Sequence, residues 1–354
     1  MPTLSHLDVV VFPTPLPSTP EATAAARSVS SRFQRELDGG GVVITAELAV
    51  PATVAHEVIV ERAVELRRPK VVAVNVTDGL RGRPALSPIA AAAIMTHADL
   101  GLEPIVQLTA RSRSRNVLIA DLLGACALGV RNLLCMTGDV PDGSADIHDI
   151  DVFGLIELAR AFPAGVGVEL IGQAAPFTVG AAWSPFAPYP EYELARLERK
   201  VARGAQFVQT QPVFDGQAFV ALLESMPTCL KDLPIIMGLA TVRSADHARR
   251  LTGIPGIVIP ERLLERLDRA RDATEAAECY WEYLEAELEW VWQRASVRGC
   301  HLMPFGHSKR GIKQRSSFDR LYDCAVRITN AQPPCTNSIE SQSGWPQHLG
   351  AGVR

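Results

Sequence analysis

Apolar runs of about five to eight residues alternate along the chain with longer stretches in which apolar positions recur every three or four residues. Short apolar runs bounded by turn residues read as buried strands, and the longer periodicity reads as amphipathic helices. The candidate strands are Val42–Leu48, Val71–Thr77, Pro104–Thr109, Asn132–Thr137, Val166–Gly172, Phe207–Thr210, Pro234–Leu239 and Cys300–Phe305. Helices between strands call for a parallel sheet. Eight such strands favour an α/β fold closed into a (β/α)8 TIM barrel over an open sheet.

Helix signals support the same reading. Ser87–Leu100 opens on Ser-Pro and stops at Gly101, and Tyr192–Arg203 stops at Gly204. Glu261–Val297 is too long for one connection and predicts two helices, with Tyr280, Trp281, Tyr283, Trp290 and Trp292 expected mainly in the core. Residues 1–40 read as a peripheral N-terminal helical extension: a proline-rich opening, an alanine-rich helix around Glu21–Leu37 and the hinge Gly39-Gly40-Gly41. The barrel then occupies 41–330, and 331–354, rich in Pro, Ser, Gly and Gln, reads as a loose tail.

Composition narrows the class. At 354 residues, 47% hydrophobic, 21% charged and a net charge of -4, the chain suits one large core and lacks the basic excess of a nucleic-acid binder. Any small anionic ligand must then be met by local basic groups. The seven cysteines are odd in number and never spaced C-x-x-C, so they read as reduced and mostly structural, and no metal site is expected. The start lacks a basic segment leading into a long apolar core, and no run of about 18 apolar residues occurs, so a cytoplasmic protein with no membrane contact is expected.

Candidate chemistry sits at strand ends. Val42–Pro51 places Glu47 inside an otherwise apolar strand. Burying even a neutral polar group unpaired costs roughly 2–7 kcal/mol, so Glu47 needs either a buried partner or a role, such as a general acid at the mouth of the barrel. The other strand ends offer Asn75, Thr77 and Asp78, then Gln107 and Thr109, then Thr137, Gly138 and Asp139, then Gln209 and Gln211. In a barrel these converge on the C-terminal face, where active sites form.

The order Thr45-Ala-Glu-Leu, Asn75-Val-Thr-Asp, Pro104-Ile-Val-Gln-Leu-Thr, Met136-Thr-Gly-Asp139 and Gly204 to Asp215 resembles the methylenetetrahydrofolate reductase family over about 41–310. It is most similar to the branch with Thr-Gly-Asp and Thr-Gln-Pro-Val motifs. The resemblance implies a barrel that binds FAD, takes a hydride from NADH or NADPH and reduces 5,10-methylenetetrahydrofolate to 5-methyltetrahydrofolate in one-carbon metabolism and methionine biosynthesis. It assigns the acid to Glu47, an electrostatic role beside flavin and pterin to Asp139, and folate contacts to Gln211 and Gln107. Cofactor contacts fall to Thr77, Gln107, Thr137, Gly138, Asp139, Ala175 and Lys200, with Arg199 and Lys200 toward the pyrophosphate.

Three departures stand out. Thr137 replaces an arginine of many members, Gln107 a histidine, and Gln173-Ala-Ala-Pro-Phe lacks the Tyr-Pro-Glu-Val-His pattern that packs on the flavin, so FAD is expected to be held weakly or lost. Arg111-Ser-Arg-Ser-Arg115 reads either as a second anion site or as a solvated turn, and His301 and His307 fall at the last strand end. Two other functions share the residue pattern: a pterin-binding methyltransferase barrel, and a folate-binding partner protein without flavin, which has no need of Glu47. The expected partner is a folate-type small molecule, with a homo-oligomer left open.

Overall fold

Strand and helix alternate through a single closed parallel barrel in the computed structural model, which describes residues 30–79, 82–140, 149–167, 169–172, 174–305 and 312–330. Its strands are β1 (Val43–Leu48), β2 (Val71–Val76), β3 (Glu103–Thr109), β4 (Asn132–Met136), β5 (Thr178–Trp183), β6 (Phe207–Pro212), β7 (Ile235–Ala240) and β8 (Gly299–Met303). Each pairs with its neighbour in sequence, and β8 returns to β1, with Thr45 opposite His301.

The outer layer comprises α1 (Arg32–Asp38), α2 (His56–Leu66), α3 (Pro88–His97), α4 (Arg115–Ala127), α5 (Val152–Ala161), α6 (Pro190–Ala202), α7 (Gly216–Glu224), α8 (Ala245–Leu251), α9 (Glu261–Asp268), α10 (Ala273–Arg294) and α11 (Ile312–Asn330). No helix among the described residues is long and apolar enough to cross a membrane.

Seven strands lie within a few residues of the hydrophobic pattern, but the fifth does not. Val166–Gly172 forms no strand among its described residues: Ala164–Val166 is a 3-10 turn, and Gly167 and Gly172 take left-handed φ values of 74° and 93° that interrupt an extended backbone. β5 is instead the glycine- and alanine-rich run Thr178–Trp183. A Cβ on Gly180 would lie 2.3 Å from the Phe207 ring, so the strand surrenders β-propensity to make room for an aromatic from its neighbour.

Glu261–Val297 divides as expected, into α9 and α10. The Tyr280 hydroxyl donates to the Ala240 carbonyl and the Tyr283 hydroxyl to that of Phe214 at 2.8 Å, tying α10 to the loops above β6 and β7. Trp290 is the aromatic outside the core, 37% exposed beneath the Arg294 guanidinium at 3.6 Å. The described cysteines 126, 135, 229, 279, 300 and 324 are free thiols, and burial pushes those of Cys135 and Cys300 up to about 12; Cys335 lies outside the described residues.

The described part of the N-terminal extension is not peripheral. The helix expected around Glu21–Leu37 starts only at Arg32, as α1, because Ser30 and Ser31 are non-helical; residues 1–29 and the tail 331–354 lie outside the described residues. Ser31 caps α1 by accepting from the Gln34 amide and donates to Asn132 Oδ1 at 2.6 Å. The Glu103 carboxylate accepts from the amides of Arg32 and Phe33 at 2.6 and 2.8 Å, a negative charge placed at a helix N-terminus. These bonds seat Phe33 in the foot of the barrel, fully buried and edge-on to Phe207 at 5.0 Å, among Val43, Ala73, Ile105, Leu134 and Ile236.

Two stability predictions follow from these placements. Phe33→Ala opens a cavity in the foot and should cost about 3–5 kcal/mol, read as a lower urea midpoint; a loss below about 1 kcal/mol would show that α1 is dispensable to the barrel. His247 on α8 is buried, and desolvation together with Arg243 and Arg250 pushes its imidazole down to about 4 from 6.5. Between those values the unfolded chain binds a proton that the native state does not, so stability falls as pH drops from 6.5 toward 4, by on the order of 2 kcal/mol from this group. His247→Gln should flatten that part of the melting-temperature profile; an unchanged slope would refute the assignment.

Candidate active site

Because side chains alternate along a strand, Thr45 and Glu47 follow Val43 on the inward face of β1. Above the apolar foot they enter a polar level made by Thr45, Asn75, Gln209 and His301, each no more than 3% exposed. These groups satisfy one another. Gln209 Nε2 donates to Asn75 Oδ1 at 3.1 Å and to Thr45 Oγ1 at 3.2 Å, Asn75 Nδ2 donates to Gln209 Oε1 at 2.5 Å, and Thr45 Oγ1 lies 2.9 Å from His301 Nδ1. His301, expected at a strand end, therefore sits within β8 inside the barrel; His307 lies outside the described residues.

Glu47 stands on top of this level with its side chain 15% exposed. Its Oε2 faces Gln107 Nε2 at 3.4 Å and His301 Nε2 at 3.8 Å. The two readings of Glu47 thus coincide: it has partners, and it lies at the mouth. The residues that surround it were visible in the sequence as polar positions in apolar strands, but the partnership of Glu47 with His301 was not anticipated.

The rim is braced by ion pairs and glycines. Asp78 Oδ2 accepts from the Thr109 amide at 3.1 Å and the Thr109 hydroxyl at 2.7 Å, and Asp78 takes both guanidinium nitrogens of Arg113, which also faces Asp121 at 3.2 Å. Arg111 Nε donates to the Gly138 carbonyl at 2.9 Å, and the Arg115 amide to Asp149 at 2.9 Å. The 111–115 run is a turn in which Ser112, Ser114 and Arg115 are exposed, as the solvated-turn reading has it, while Arg111 and Arg113 turn inward and clamp the ends of β2, β3 and β4. Gly138, at φ 89°, lies where a Cβ would be 2.8 Å from Thr109 Cβ, and this close approach holds Thr137 and Asp139 at the exposed edge of the mouth.

The other expected contacts are distributed differently. Thr77 is buried, its hydroxyl accepting from the Val50 amide at 2.9 Å, so it pins the loop after β1. Lys200 is buried and donates to the Ala182 carbonyl at 2.6 Å; burial, with Arg196 adding repulsion, pushes its ammonium down to about 8. Arg199 stacks on Phe153 at 3.8 Å and faces Asp151 at 3.7 Å. Ala175 precedes β5, its carbonyl near the Cys126 thiol at the end of α4, at the foot and away from the mouth. That displacement has the same cause as the misplaced fifth strand: the residues that follow β5 at the mouth are Ser184-Pro185-Phe186, and Gln173 lies outside the described residues.

Gln211 ends β6 half-buried. The turn Gly253-Ile-Pro-Gly256, not singled out in the sequence, closes over it: at φ 81° a Cβ on Gly256 would lie 2.6 Å from Ser184 Oγ and 3.4 Å from Gln211 Cγ. No group of three or more metal-ligating side chains occurs among the described residues. The mouth thus offers a carboxyl with an amide N–H and an imidazole nitrogen facing one oxygen, a second carboxylate at the edge, and two amides able both to donate and to accept.

Comparison with known proteins gives a consistent result. A family model described as methylenetetrahydrofolate reductase matches residues 32–312. Similar curated relatives include the probable methylenetetrahydrofolate reductase (NADPH) of Caenorhabditis elegans, 24% identical over 51% of this chain and 26% of that protein. The NADH enzyme 1 of Zea mays is 25% identical over 59% and 37%, and the 5,10-methylenetetrahydrofolate reductase of Escherichia coli strain K12 is 22% identical over 49% and 55%. The matches thus span about a quarter to half the length of these relatives. Among solved structures, an uncharacterized protein from Clostridium thermocellum described as binding two copies of 5-methyl-5,6,7,8-tetrahydrofolic acid shares the fold at TM-score 0.61 and 13% identity, over 85% of this chain and all of that one.

Proposed function

Since the chain belongs to the methylenetetrahydrofolate reductase family, we propose that it reduces 5,10-methylenetetrahydrofolate to 5-methyltetrahydrofolate with a hydride drawn from NADH or NADPH. The observation that carries this reading is Glu47, a carboxyl at the mouth with the Gln107 amide N–H and the Nε2 nitrogen of His301 facing one of its oxygens. Opening the imidazolidine ring of the substrate requires a proton on N10, which unmasks an iminium at N5. Glu47 supplies that proton. As charge develops on its carboxylate, Gln107 and His301 stabilise it more than they stabilise the neutral acid, and that difference lowers the barrier.

Asp139, at the exposed edge of the mouth, offers negative charge to the positive iminium. Gln211 supplies an amide donor and acceptor to the pterin edge, and the 253–256 turn fixes its position. The fold shared with a methyltetrahydrofolate-binding barrel is consistent with a pterin at this mouth.

FAD, when bound, would take the hydride from the nicotinamide and pass it to the substrate. The residues fit its ring better than its pyrophosphate. Thr137 and Asp139 lie exposed at the rim, where a flat ring can approach them, whereas the cations expected at the phosphates are engaged elsewhere, Lys200 with Ala182 and Arg199 with Phe153 and Asp151. We therefore read FAD as a loosely held group.

Glu47→Gln should keep the fold and nicotinamide oxidation by an artificial acceptor while folate reduction falls roughly two to four orders of magnitude; folate reduction at the parent rate would make Glu47 structural and end this assignment. For the cofactor, protein purified in added FAD should show the yellow flavin absorbance and lose it on dilution and gel filtration. Retention at full occupancy through prolonged dialysis would show that other contacts secure the pyrophosphate.

A further inference from the structure

The direction of a hydrogen-bond chain is set at its ends. In the polar level of this barrel one end is an amide pair. Asn75 on β2 and Gln209 on β6 exchange two hydrogen bonds, at 2.5 and 3.1 Å, which turn the Gln209 oxygen toward Asn75 and leave one amide N–H for Thr45 Oγ1 at 3.2 Å. Thr45 has one hydroxyl proton, and with Gln209 donating to its oxygen the remaining polar partner of Thr45 among the described residues is His301 Nδ1 at 2.9 Å, so that proton makes a hydrogen bond only by pointing there. A neutral imidazole that accepts on Nδ1 carries its own proton on Nε2. Nε2 is the nitrogen that faces Glu47 Oε2, at 3.8 Å.

We propose that the Asn75–Gln209 pair is a positioning device that, through Thr45, holds the His301 proton on Nε2, aimed at Glu47. The inference rests on the reading of Glu47 as the acid. The far end of the chain agrees with the near end only part of the time: an ionised Glu47 accepts and so favours an N–H on Nε2, but a protonated Glu47 makes no such demand. In that state the amide pair alone keeps the donor in place. When Glu47 releases its proton, an N–H already points at the new charge and no dipole has to turn. Without the pair, Thr45 could accept from an N–H on Nδ1, leaving the Nε2 lone pair facing the carboxylate.

The device is built where such a role requires it. Thr45, Asn75, Gln209 and His301 are buried, so water does not compete for their bonds. Glu47 is the charged group that faces His301; the other charged groups at neighbouring strand ends are Asp78, held by Arg113, and Asp139 at the edge of the mouth. Neither Asn75 nor Gln209 reaches the mouth, which marks them as positioning residues rather than groups that touch substrate.

The test is the imidazole nitrogen-15 spectrum of the full, uniformly labelled protein, with the His301 signals assigned by their loss in His301→Gln. The parent should show His301 protonated on Nε2. In Asn75→Val/Gln209→Met, which removes both amides together so that neither is left unpaired, the ring should become a mixture of tautomers. The kcat for folate reduction should fall roughly tenfold, the scale of outer-layer positioning effects, with little change in the KM for the folate. Gln209→Glu, close in shape, should retain the fold if the double variant does not; its carboxylate accepts the Thr45 proton, reverses the chain and moves the ring proton to Nδ1. A parent ring protonated on Nδ1, or the same tautomer in parent and variants, would overturn the proposal. The tautomer is read without turnover, so a shifted tautomer together with full folate reduction by Glu47→Gln would sink the proposed function and leave the device standing.

Discussion

A closed barrel of eight parallel strands must fill its interior with its own side chains, and any polar group placed there must find its partner there. That constraint organises this protein from foot to mouth. At the foot the filling is aromatic, Phe33 against Phe207, and Gly180 has no side chain because Phe207 occupies its space. One level higher the filling is polar, and four buried side chains from β1, β2, β6 and β8 satisfy each other across the barrel. Glu47 rests on that level. Its carboxyl is tolerable in an apolar strand because Gln107 beside it donates an N–H and a ring nitrogen of His301 from the layer below faces it.

The same accounting explains the rim. Arginine is suited to planar, two-pronged grips on carboxylates, and Arg113 grips Asp78 in that way while its third nitrogen faces Asp121. Arg111 grips a backbone carbonyl and Arg199 an aromatic ring. Cations that look available in the sequence are therefore structural in the fold, and the mouth is shaped more by what these groups hold together than by what they offer to a ligand.

Much of this was legible in the sequence, and the omissions have physical causes. Seven strands could be read because each is a short apolar run with turn residues beside it. The fifth misled because Val166–Gly172 has the better strand composition, while Gly180 in Thr178–Trp183 is explained only by the Phe207 ring of another strand. Ala175 was displaced with it. Glu47 stood out because a lone charge in an apolar strand is conspicuous. Its link to His301 did not, since Thr45 and His301 are 256 residues apart and meet only when β8 closes on β1. The role of Arg113 was hidden for a related reason: composition shows that a cation is present, whereas only the fold shows which way it turns.

With α1 seated in the foot, the barrel is filled at that end and its polar level faces the mouth. Substrate, water and exchangeable hydrogens share that entrance, and the buried level beneath it communicates with solvent past Glu47. A flat ligand lying across the mouth would isolate the level below. For as long as it stayed, the hydrogens inside would be fixed in number, and the chain of donors could change direction but not gain or lose a proton except past Glu47.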